Sequence, residues 1–248
     1  METDVENAPG EHRLSSVQVE EIRHWLREGL AQSKASLGEG YQAAVYRYRG
    51  PSGEYVIKKA HDSPFRRSFG EAAIRREERI YRRLGGIPGI PHCMGLIDGR
   101  YLVLEYVPGD SFRKLQQDLG NRELFFQRLL TTLRGMHAAG VAHGDLKRKD
   151  NILVGPNQTP FVIDFGVACV RKADGNAWNR FLFKSVMQAD YNAWIKHKYR
   201  GKPEPLSAED RRLYRPMLLE TLARAIRITW QKITFRRLRK RSKKTAND

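Results

Sequence analysis

His143–Val154 reads HGDLKRKDNILV, and Phe161–Gly166 reads FVIDFG. Each carries a short apolar run, and the GPNQTP between them is turn-rich, so the spacing predicts two short neighbouring strands. The polar residues beside those strands are of types that suit one chemistry. Asp145 is suited to orient or deprotonate an attacking hydroxyl, and Lys147 to neutralise a transferring phosphoryl group. Asn151 with Asp164 offers the hard oxygens that magnesium prefers. In-line transfer with little covalent help from protein needs positioned cations around the charge on the phosphoryl oxygens. A lone His-x-Asp would read as structural; two ordered signatures, each tied to a strand, argue for a site.

Upstream, Leu37–Val45 reads LGEGYQAAV, and a hairpin turn at Gly50–Gly53 leads into YVIK, ending at Lys58. Paired glycines alone mark a turn as readily as a phosphate loop. A glycine-rich loop over phosphates works because backbone amides approach the anion closely, and it needs a lysine on a neighbouring strand. Lys58 supplies that lysine. Its expected partner is Glu77 on the following helix, with Glu78 and Glu71 as fallbacks; the bland alternative is that all three belong to a solvated face. That helix, SFGEAAIRREERIYRRLGG, stops at paired glycines. GLIDGRYLVLEYV follows as two strands turning at Asp98-Gly99.

The chain then turns helical through FFQRLLTTLRGMHAAG (125–140) and, apart from the two motif strands, reads as helix to its end. Strands first and helices after predict an α+β fold of two lobes, β-rich then α-helical. Residues 1–15 are expected to be a disordered arm and 16–107 the first lobe with a leading helix. The second lobe would span 108–233 and a basic tail 234–248. The leading helix carries Val17, Ile22, Trp25, Leu26 and Leu30 at roughly helical spacing.

A chain of 248 residues with 40% apolar content can bury a core. Its 45 Lys and Arg against 28 Asp and Glu give a net charge of +17, which should attract polyanions. Cys93 and Cys169 stand far apart with no CxxC, against a disulfide framework or a zinc site. The polar first residues lack the apolar core of a signal peptide, and no run approaches the ~20 apolar residues of a membrane span. A cytoplasmic home is the expectation.

In LGEGYQAAV, YVIK, EYVPG, HGDLKRKDNILV and IDFG, in that order over residues 37 to about 170, the chain resembles the protein-kinase superfamily. The resemblance implies a two-lobed kinase-like fold binding ATP and Mg²⁺. Gly38, Gly40, Ala43 and Val45 would lie in the loop over ATP, with Lys58 on its phosphates and paired to Glu77. Backbone from Glu105 to Val107 would meet adenine, Leu104 would stand behind the base and Asp110 would reach the ribose. Asp110 could instead cap the helix starting near Ser111.

Four departures narrow the resemblance. Ala43 replaces the loop's third glycine. Gly144 replaces the arginine that, in regulated kinases, pairs with a phosphorylated loop, so constitutive competence is expected. Asn151 lies one residue further from Asp145 than the family pattern places it, which leaves Asp150 as a substitute metal ligand. No APE motif follows Gly166, so the peptide-binding shelf is expected to be missing or rebuilt and the helical lobe trimmed. This combination is similar to the compact atypical kinases, which include the RIO family, the small kinase of the tRNA threonylcarbamoyl complex and the bacterial lipopolysaccharide-core sugar kinases; a compact atypical bacterial member is the preferred expectation.

From Arg224 to Lys244 there are ten Lys or Arg and no acid, threaded with Ile226, Trp230, Ile233 and Leu238. Such a helix packs through its apolar stripe, anchors on an anionic membrane at the inner face, or binds RNA. The expected function is ATP-dependent transfer to a hydroxyl, with protein serine or threonine first and a lipopolysaccharide sugar as the alternative. A pseudokinase scaffold is the non-enzyme rival.

Overall fold

The computed structural model describes residues 13–29, 36–39, 43–60, 67–201 and 206–215. They divide into two compact units. The first runs to Val141 and takes in Arg148–Ala168; the second joins Ala142–Lys147 to the residues from Cys169 onward.

In the first unit, β1 (Ser36–Glu39), β2 (Ala43–Gly50), β3 (Gly53–Ala60), β4 (Cys93–Ile97) and β5 (Tyr101–Glu105) form an antiparallel sheet ordered β1-β2-β3-β5-β4. The β4–β5 turn puts Asp98 at φ 52° and Gly99 at φ 66°. Both residues are left-handed, as the tight Asp-Gly hairpin requires.

Helix α1 (Ser16–Gly29) starts at a reciprocal cap: Gln18 N–H donates to Ser15 Oγ and Ser15 N–H to Gln18 Oε1. Ile22 and Leu26 enter a core with Tyr48, Tyr55, Ile57, Ile97 and Val103, and Trp25 stands edge-on to Tyr46 and Tyr48. Val17, expected on that stripe, is 65% exposed, so the apolar face begins at Val19 rather than at the cap. Leu30 lies outside the described residues.

Helix α2 (Arg67–Arg83) buries Ile74, Ile80 and Tyr81 and packs on β3 and β4. After it come β6 (Asp110–Ser111), α3 (Phe112–Leu115), α4 (Arg122–Ala138), β7 (Val141–Ala142), β8 (Ile152–Val154) and β9 (Pro160–Val162). β8 pairs with β6 on one side and β9 on the other. At Gly109 (φ 150°) a Cβ would lie 2.2 Å from the Val154 carbonyl, so only glycine lets β6 approach β8.

Within the first unit the connector after α2 is tied to β9 and α4: Gly89 O accepts the Val162 N–H (2.8 Å) and Pro88 O accepts the Thr132 hydroxyl (2.8 Å).

The second unit contains β10 (Cys169–Val170), α5 (Ala177–Lys198) and α6 (Ala208–Leu213). Asn176 caps α5 by accepting the Asn179 N–H, and Phe183 and Val186 of α5 pack on Ala142 and Cys169. The arm before residue 13 and the basic tail at 234–248 lie outside the described residues. No helix among the described residues is long and apolar enough to cross a membrane.

Candidate active site

Lys58 sits mid-strand in β3, opposite Val45 of β2 and Leu102 of β5. Its alternation points the ammonium to the face covered by α2, where Nζ lies 2.5 Å from Glu77 Oε1 and 3.1 Å from Asp164 Oδ1. The Lys58 and Glu77 side chains are only 11% and 6% exposed, whereas that of Asp164 is 46% exposed. Burial by itself would lower the Lys58 pKa, but the Glu77 and Asp164 carboxylates outweigh it and hold the pKa above its usual value. Lys58 is a permanent cation facing a half-open carboxylate. The fallback partners are engaged elsewhere: Glu78 pairs with Arg82 one turn on, and Glu71 with Arg100 at 3.4 Å.

Glu77 does more than pair with Lys58. Its Oε1 also accepts the Phe165 N–H at 3.2 Å, so one carboxylate oxygen joins β3 to the backbone after β9. Asp164, just before that amide, sits at φ 69°. A left-handed non-glycine residue costs on the order of 1–3 kcal/mol and persists only where its surroundings impose it.

Asn151 and Asp164 lie at one end of the β8–β9 ladder, which the Ile163 N–H extends by donating to Asn151 O (3.0 Å). Asn151 is 4% exposed. Asp150 points to α3, where the Arg113 guanidinium donates to both its oxygens at 2.8 and 2.9 Å and holds its pKa below the usual carboxylate range. That pairing favours Asn151 over Asp150 as the metal ligand. Among the described residues no group of three His, Cys, Asp or Glu is placed to hold a metal. One carboxylate and one amide oxygen fit magnesium, which keeps waters and takes nucleotide phosphate oxygens to complete its shell.

Of the residues expected around the nucleotide, Gly38 pairs with Val45 across a register shift at the start of β1, and Ala43 opens β2. Gly40 lies outside the described residues. Leu104 and Val107 are buried, and Glu105 is tied back to His92, whose N–H donates to its carboxylate and whose carbonyl accepts its N–H. Asp110 accepts the Ser111 N–H (2.7 Å) and Lys114 Nζ (3.0 Å), and the Lys114 contact lowers its pKa. Ser111, not Asp110, is the N-cap residue of α3, and no side chain caps that turn, contrary to the capping alternative.

Asp145 and Lys147 belong to the second unit. Their loop is held from α5 by two residues that sequence reading passed over. Asp190, 1% exposed, accepts the His143 N–H at 2.7 Å and the Gly144 N–H at 2.9 Å with its two oxygens. Two turns on, His197 Nε2 bonds Leu146 O at 2.8 Å. Between these anchors the His143 ring accepts the Asp145 N–H at 3.2 Å. Gly144 sits at φ 78°, so glycine answers a backbone requirement as well as removing a guanidinium. Asp190→Ala is expected to destabilise the protein by about 2–4 kcal/mol, since two backbone amides lose charge-assisted bonds. Denaturant titration against Asp190→Asn, which keeps one acceptor, checks this. Equal stability of Asp190→Ala and wild type would contradict it.

Residues 167–176, between Gly166 and α5, contain only the two-residue β10 as regular structure. This short connection agrees with the missing APE motif.

Residues 31–198 match the protein kinase domain. The chain is similar to CBL-interacting serine/threonine-protein kinase 19 of Arabidopsis thaliana, 35% identical over 142 residues, covering 54% of this chain and 29% of the relative. It is 30% identical over 157 residues to serine/threonine-protein kinase chk1 of Schizosaccharomyces pombe, covering 60% and 31%. With CBL-interacting protein kinase 16 of Oryza sativa it shares 31% identity over 167 residues, covering 64% and 36%. The chain spans about a third of the length of these curated relatives. The matched stretch begins before β1 and ends on the last residue of α5, taking in every strand and loop that carries a candidate site residue; the chain belongs to the protein kinase domain family.

Proposed function

We propose that the protein is an ATP- and magnesium-dependent phosphotransferase acting on a hydroxyl, protein serine or threonine first. The observation that carries this reading is the buried Lys58 held between Glu77 and Asp164, because a lysine so placed supplies a fixed positive charge for nucleotide phosphates. Asp145 would orient the acceptor hydroxyl and take its proton, and Lys147 would offset charge on the transferring group. Asp164 and Asn151 would hold Mg²⁺, which supplies charge neutralisation on the phosphates when bound. Lys58, Asp145 and Asp164 are all present, which disfavours the scaffold reading.

The relatives named as serine/threonine kinases support a protein acceptor. The short 167–176 connection favours the second reading, a compact bacterial-type kinase acting on a lipopolysaccharide sugar, since little chain is left there to bind a peptide. γ-Labelled ATP offered in parallel with a serine-rich protein and with lipopolysaccharide decides between them: label in protein supports the first, label in saccharide the second, and label in neither with no ATP turnover refutes both. The same basic tail would bring the enzyme to the inner membrane face. Cosedimentation with anionic vesicles should drop when residues 234–248 are removed, and equal binding would sink that role.

A further inference from the structure

Helix α5 buries Phe183 and Val186, yet its first turns direct Trp178 and Phe181 outward, 64% and 46% exposed. No other Trp, Tyr or Phe among the described residues is exposed. Positions 178 and 181 stand one turn apart, and their rings pack on each other with centroids 5.7 Å apart and a tilt of 31°. Cations surround the pair. Arg180 and Lys184 project from the same helix, and Arg171 and Lys172 from the loop before it, all four exposed. None of the four is ion-paired among the described residues, and Asp174 is the only acid between Arg171 and Lys184.

The loop is fastened to the helix beside the rings. Asn179 Oδ1 accepts the Lys172 N–H (3.0 Å), Asn179 Nδ2 donates to Val170 O (3.2 Å), and the Arg180 guanidinium donates to Gly175 O (3.2 Å). At Gly175 a Cβ would lie 2.4 Å from Asn179 Oδ1, so glycine lets the loop close on that side chain. The backbone that presents rings and cations together is therefore built in advance of any partner. An anionic bilayer matches this patch: tryptophan sits well at headgroup level, apolar rings enter the acyl boundary, and each Lys or Arg near the surface gains about 1 kcal/mol. A second copy matches poorly, since a two-fold contact through the patch would set its cations against themselves. Single-stranded nucleic acid stacks its bases on free rings, whereas these two rings are packed on each other.

We propose that Trp178 and Phe181, with Arg171, Lys172, Arg180 and Lys184, form a membrane-docking patch that seats the two rings among anionic headgroups. The helix that carries it also carries Asp190, which holds the loop of Asp145 about 14 Å further along the axis from Phe181. Docking would therefore keep that loop close to the lipid surface. The patch deepens the membrane reading given for the basic tail, but it is a separate contact that needs neither the tail nor ATP turnover.

The test uses the full chain and vesicles of phosphatidylcholine, alone or in equal mixture with phosphatidylglycerol. Trp178→Gln/Phe181→Gln and, separately, Lys172→Gln/Lys184→Gln are each expected to lower partition onto mixed vesicles about tenfold. Melting temperatures should not move, because all four side chains are exposed. Brominated lipid locates the contact. In a Trp230→Phe background, which silences the tail's tryptophan, lipid should still quench the fluorescence, and adding Trp178→Phe, which keeps an apolar ring, should remove that quenching. Wild-type partition in both double variants overturns the proposal, as does quenching that survives without Trp178. Equal partition onto neutral vesicles overturns the anionic assignment. If removing 234–248 abolishes partition while the patch variants bind as wild type, the tail stands and the patch falls; the reverse result keeps the patch and refutes the tail. A patch variant that loses single-stranded RNA binding or self-association, and not lipid, overturns the proposal in favour of that partner.

Discussion

Asp145→Ala is expected to lower kcat by roughly 10²–10⁴-fold while the KM for ATP and the thermal midpoint stay near wild type. Asp145 is partly exposed, and the loop that carries it is anchored by its neighbours: Asp190 holds His143 and Gly144, and His197 holds Leu146. Truncating the side chain therefore removes the candidate base without removing what places it. The measurement is steady-state turnover at saturating ATP and acceptor, alongside a melting curve. Asp145→Asn, which cannot accept a proton, should be nearly as slow. Full activity in either variant would remove Asp145 from the catalytic role.

Lys58→Met should abolish measurable turnover and cost stability as well. The Lys58 and Glu77 side chains are almost entirely buried, and removing one partner of such a pair strands the other charge at about 3–5 kcal/mol. For a chain of this size that corresponds to a fall of roughly 10 °C or more in melting temperature. The double variant Lys58→Met/Glu77→Leu tests the cause. It should regain most of the stability, because no unpaired charge remains, and none of the activity. If the single variant melts with wild type, the pair is not the buried, mutually dependent unit that its 2.5 Å separation describes.

Much of this was legible in the residues. Lys58 ends a strand-like YVIK, Asp145 and Asp164 flank short apolar runs, and Asp98-Gly99 marks a turn whose left-handed backbone the structure shows. These signals are local: each depends on neighbours within a few positions, where period and turn chemistry act. Choosing between Glu77, Glu78 and Glu71 was harder, since three carboxylates on one charged helix look alike. Rotation of α2 about its axis decides which faces Lys58, and the burial of Ile74, Ile80 and Tyr81 sets that rotation.

By itself, then, the sequence determined which residue types stand where along the chain: a lysine on a strand, an acid in the HGD loop, an amide and an acid beside two short strands. Only the tertiary structure decided which partners they meet. Asp190 and His197 lie 46 and 51 residues from the loop groups they hold, Asp150 is claimed by Arg113 from 37 residues away, and Arg76 and Tyr81 bond backbone groups over 80 residues on. A buried polar group must find a partner wherever the fold brings one, and that pairing leaves no local mark on the residues that make it.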